Sequence, residues 1–94
     1  MTLKEYKETL RLEQAPTQLD EPLQAMWYDA KGKWEKAHEL AQEHNDSASA
    51  WVHAYLHRKE GDILNAQYWY TRASRSVPHS TLKQEWDMIV STLL

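Results

Sequence analysis

Histidine has the widest chemical reach of any residue type in this chain. His53 and His57 are four positions apart, so a helix would place both rings on one face, a spacing able to hold one metal ion. His38 and His44 add imidazoles in the preceding segment, and Asp29 or Glu60 could supply a carboxylate. The H-E-x-x-H pattern is absent, and two partly exposed, separately solvated histidines are the expected reading of the spacing. The expectation is therefore no metal and no cofactor, with added Zn²⁺ leaving the melting temperature unmoved.

Aromatic residues form the second group. Trp27, Tyr28, Trp51, Tyr55, Tyr68, Trp69 and Tyr70 could line a groove for a peptide or a cage for a cation. Aromatics at helical spacing more often form a core, which is the place expected for Trp34, Trp69 and Tyr70. Trp51 and Tyr55 are the candidates for an exposed face. Arg58-Lys59 with Arg72 and Arg75 could hold an acidic peptide terminus, although a solvated charged face accounts for them too. Asp20, Glu21 and Asp29 are too scattered to pair as acid and base. Ser74, Ser76 and Ser80 lack a nucleophile-elbow context, and no glycine-rich loop could cradle a phosphate. No catalytic residues are expected.

Composition narrows the classes further. The 94 residues suffice for one domain, 1–94, with a modest core. Only two glycines and three prolines interrupt a chain rich in helix formers. Net charge is −3 with both signs interspersed, so no basic stripe tracks a nucleic acid backbone. The absence of cysteine removes disulfides, thiolate nucleophiles and thiolate metal sites together. No apolar run is long enough to span a membrane, and the first residues lack the apolar stretch of an export signal. A cytoplasmic location is expected, with no nucleic acid or membrane partner.

The elements that must position these residues are helices. Leu3, Tyr6 and Leu10 mark a lid or capping helix over about residues 2–13, followed by a linker at Pro16. Asp20 is the expected N-cap of a helix carrying Leu23, Met26, Trp27 and Ala30, ended by Gly32. Trp34, Ala37, Leu40 and Ala41 give a second helix, so residues 20–44 form one pair. Asp46 or Ser47 opens a third helix that Gly61 ends, and Asp62 caps a fourth whose expected buried stripe is Ile63, Ala66, Trp69, Tyr70 and Ala73. This second pair covers residues 47–76. Ser80 or Thr81 starts a last helix, 80–94, with Leu82, Trp86, Ile89, Val90 and Leu93 on one face.

The two pairs repeat one pattern. Gly61 lies 29 positions after Gly32; at that offset Ala25 meets Ala54, Ala37 meets Ala66, and Trp34 meets Ile63. The turn glycine, Ala66, Tyr70, Ala73 and Pro78 of the second pair resemble tetratricopeptide-like repeats, and Ala66-Gln-Tyr-Trp-Tyr-Thr-Arg-Ala73 is similar to the Sel-like branch. The resemblance covers about residues 20–78 and implies an all-α stack of antiparallel helix pairs, about five to six helices in all, with N- and C-terminal capping helices. It also implies a concave surface presenting Met26, Asp29, Trp51, Tyr55 and Arg58 to a peptide or protein partner. The same register sends His53 and His57 into inter-helix packing, whereas the apolar arc Trp51, Val52, Ala54, Tyr55 and Leu56 points them to solvent. The arc is preferred, because burying two histidines needs partners.

The expected function is a non-enzymatic interaction module, monomeric or weakly dimeric. Two alternatives make different demands. A ligand- or metal-binding protein requires a closed pocket where at least three of His38, His44, His53, His57 and Asp29 converge. A self-associating scaffold requires a free Leu82–Leu93 face.

Overall fold

The computed structural model describes residues 1–94 and contains helices without strands. They are α1 (Leu3–Glu8, continued by a 3-10 turn Thr9–Arg11), α2 (Glu21–Ala30), α3 (Trp34–Gln42), α4 (Ser47–Glu60), α5 (Ile63–Arg72) and α6 (Leu82–Leu93). Local chemistry sets most boundaries. Asp20, Asp46 and Asp62 each accept a backbone N–H of the helix that they precede, and Pro22 sits in the first turn of α2. Thr2 with Glu5, and Thr81 with Gln84, form reciprocal capping boxes. Gly32 and Gly61 turn the chain at φ +77 and +90, a region in which a side chain is strained.

Helix α4 is the hub. It packs against α2, α3, α5 and α6, and every residue from Ser49 to His57 is buried. A helix enclosed on all sides has no solvent face. That is why the apolar arc misjudged His53 and His57, which lie inside, 5% and 7% exposed. The expectation of solvated histidines is thus corrected.

Helix α1 is fixed rather than loose. Tyr6 is fully buried and its hydroxyl donates to the carbonyl of Leu23 at 2.5 Å, while the Trp27 indole donates to Thr9 Oγ1 at 3.1 Å. Burial pushes the Tyr6 phenol well above its usual range, with the Asp29 carboxylate adding to the effect. At the opposite edge, α5 packs chiefly on α4. Its inward residues Ala66, Tyr70 and Ala73 are buried as expected, but Ile63 is 46% exposed because no further helix covers the start of α5. No helix is long and apolar enough to cross a membrane.

Candidate functional site at the three-histidine cluster

Three adjacent helices each bring an i, i+4 pair to one seam: Trp34 and His38 from α3, His53 and His57 from α4, Asn65 and Trp69 from α5. The turns at Gly32 and Gly61 set the facing of these pairs. Asp62, the cap of α5, accepts the Asn65 backbone N–H at 3.3 Å and lies 3.5 Å from its side-chain amide.

The rings form one continuous assembly. Trp34 stacks on His38 with centroids 4.9 Å apart, and Trp69 stacks on His53 at 3.9 Å. His53 stacks on His57 at 4.8 Å, and His38 meets both edge-on at 4.6 and 5.1 Å. Nε2 of His38 and Nε2 of His53 are 2.9 Å apart, so one ring donates and the other accepts. His57 donates from Nδ1 to Glu60 Oε2 at 2.6 Å, which leaves the Nε2 lone pair free to accept from the Asn65 amide at 3.4 Å. One ring nitrogen from each histidine lies within 4.8 Å of the other two.

Burial favours the neutral form of His53 and His38. Burial, followed by the neighbouring His38 and His57, depresses the His53 pKa from 6.5 to about 4. Burial and His57 also lower that of His38, against the weaker pull of Glu60 and Glu39. Neutral imidazole is the metal-binding form, and a carboxylate on Nδ1 fixes the tautomer, as Glu60 does for His57. The shared proton between His38 and His53 occupies the place that a metal could take. Tetrahedral coordination at about 2.05 Å per nitrogen needs nitrogens about 3.3 Å apart, an adjustment of a few tenths of an ångström for that pair.

Two other groupings are weaker. Glu21, Glu43 and His44 converge at the surface, where His44 pairs with Glu21 at 2.9 Å. His57, Glu60 and Asp62 converge at the start of α5, but both acids are exposed. Neither has the enclosure of the three imidazoles.

The residues expected to face a partner lie elsewhere, on the inner side of α2 and α4, and four of them are buried there. Met26 is 0%, Asp29 2%, Trp51 4% and Tyr55 2% exposed. The exposure expected for them is corrected for a physical reason: α6 and α1 fill the hollow. Trp86 of α6 donates its indole N–H to the Met26 carbonyl at 3.2 Å. Glu85, buried to 2%, accepts from Trp51 Nε1, Arg58 Nη1 and the Tyr70 hydroxyl at 3.2, 2.8 and 2.6 Å. Arg58 also donates to the Ser80 carbonyl. Asp29 accepts from the Tyr55 hydroxyl at 3.0 Å and from Lys59 Nζ at 2.9 Å. What stays open is a cleft of about 430 Å³ bordered by Leu10, Asp29, Tyr55, Lys59, Leu82 and Trp86, among others. The C-terminal face is likewise turned inward, since Trp86, Ile89 and Val90 are buried against the chain's own helices.

Sequence reasoning singled out His38 but missed Asn65 and Glu85. A signal existed for each. Glu85 interrupts the apolar stripe of α6, and the i, i+4 pairs Trp34/His38 and Asn65/Trp69 flank His53/His57 on neighbouring helices. Comparison of the chain with family models, curated proteins and solved structures finds no match.

Proposed function

We propose that this protein binds one late first-row transition-metal ion on His38, His53 and His57. The observation that carries the reading is the convergence of three imidazole nitrogens within 4.8 Å under two indole rings. Imidazole donors suit Zn²⁺, Co²⁺, Ni²⁺ and Cu²⁺, whereas Mg²⁺ and Ca²⁺ need oxygen ligands. The reading reverses the expectation of no metal, because that expectation rested on solvated histidines. Part of the demand set for this class supports the reading, since three side chains of the histidine set converge. The helix pairs α2/α3 and α4/α5 are read here as a tetratricopeptide-like stack, on the strength of the glycine, alanine and aromatic spacing of residues 20–78.

Dialysis of the full chain against Zn²⁺ or Mg²⁺, followed by elemental analysis, tests the proposal. One equivalent of zinc and no magnesium is expected to stay, with zinc lost in His38→Leu and in His53→Leu. Retention unchanged in both variants would sink it.

Partner binding is the second reading, and the cleft favours it. Asp29 and Tyr55 form part of its lining, with Leu10, Leu82 and Trp86 as apolar walls and Lys7, Lys59 and Lys83 at the sides. Such a cleft fits one extended apolar side chain better than a whole helix. Binding there predicts that Leu82→Glu abolishes partner capture while zinc retention is unchanged.

A further inference from the structure

We infer that the metal held by the three histidines keeps one coordination position for a small anion, and that the Asn65 amide positions this ligand. The inference rests on the metal-binding reading above and says what that site does with its ion. Zinc-type ions take four ligands, and closed structural sites supply all four from the protein. Here the convergent set holds three. The nearest carboxylate, Glu60, is engaged on Nδ1 of His57, the ring nitrogen turned away from the amide of Asn65. An exogenous fourth ligand must complete the shell.

Charge selects the class of that ligand. An imidazole that donates its lone pair to a metal carries no charge, so three of them leave the dication uncompensated, with Glu60 the one carboxylate bonded directly to the cluster. An anion is therefore favoured over a neutral donor. Access runs along the α3–α5 side, because His38, Trp34, Asn65 and Trp69 are half-buried whereas His53 and His57 are buried.

Asn65 is suited to orient the anion. Its amide N–H contacts the Nε2 lone pair of His57 at 3.4 Å. A metal taking that lone pair releases the amide, within reach of the fourth position, to donate to the incoming ligand. Asn65 is held from the other side by the α5 cap, Asp62. It is a positioning residue and leaves the metal's own ligands unchanged.

Cobalt and azide provide the test on the full chain. Co²⁺ binding should produce the visible absorption bands of a four- or five-coordinate ion, and azide should shift them saturably. Asn65→Ala should weaken azide binding roughly tenfold, the loss of one hydrogen bond to a charged group, while Co²⁺ affinity stays within a few-fold. Asn65→Asp, nearly isosteric, places a carboxylate at the fourth position and should tighten Co²⁺ while abolishing the azide response. Cobalt bands that ignore azide in the parent protein would overturn the inference and leave the metal reading standing. Absence of any cobalt binding would overturn both. Equal azide affinity in the parent and Asn65→Ala would remove Asn65 from the account.

Discussion

The two seams around α4 handle buried polarity in opposite ways. On the inner seam, Glu85 and Asp29 are each matched by cations and hydroxyls: Arg58, Tyr70 and Trp51 for the first, Lys59 and Tyr55 for the second. On the outer seam, the three imidazoles are matched chiefly by one another, with Glu60 and Asn65 at one margin. A saturated network holds helices together and has nothing left to offer a ligand. One whose lone pairs are engaged by neutral neighbours can exchange those contacts for an outside atom. The lesson is to look for function where buried polar groups share partners, rather than where they are fully served.

The largest effect that would sharpen this contrast is expected at Glu85. Glu85→Ala strands Arg58 and leaves the Trp51 and Tyr70 donors unpaired, at a cost of about 3–5 kcal/mol in a urea titration. A loss below about 1 kcal/mol would mean that the inner network is not structural.

Next in size is a pH effect confined to the outer seam. His53 in the folded chain resists protonation down to about 4, whereas an unfolded histidine takes a proton near 6.5. Between these values the unfolded state binds more protons, so this contribution is fully present above about pH 6.5 and lost as pH falls towards 4. About 3 kcal/mol is at stake over that window. His38 on α3 and His57 on α4 face the same ring and shape the curve, with the Glu60 carboxylate bonded to the far side of His57. His53→Leu should flatten it, as read from urea midpoints at pH 7 and pH 5.

Zinc should follow. At a concentration one hundred times its dissociation constant, an ion that binds the folded chain alone stabilises it by about 2.7 kcal/mol, visible as a raised melting temperature. His38→Leu should remove that rise. A smaller effect is expected for the bare His53→Leu chain at pH 7: a volume-conserving apolar replacement should change stability by less than about 1.5 kcal/mol. The smallest is Leu64→Lys, at a side chain 81% exposed on α5, where a change within about 0.5 kcal/mol is expected by either denaturant or heat.

Helix ends were legible because they are written locally. Asp20, Asp46 and Asp62 cap, Gly32 and Gly61 reverse the chain, and Thr81 with Gln84 closes a box; none needs tertiary information. Burial was legible only where a helix has one solvent side. Leu23 and Trp27 on α2 were placed correctly, as were Ala66 and Tyr70 on α5. Helix α4 defeated the same argument because four helices surround it, and its histidines face α3 and α5 rather than water. The inner hollow was misread for a related reason. Helix α6 covers the inner sides of α2 and α4, so Trp51 and Tyr55 became core.

The most direct test of the central claim is the imidazole nitrogen spectrum of the full chain as one equivalent of Zn²⁺ is added. The account predicts that ring nitrogens of His38, His53 and His57 shift together and saturate at one ion per chain, while His44 and His79, both exposed and outside the cluster, stay in place. Unmoved signals from the three, or shifts confined to His44 and His79, would contradict it.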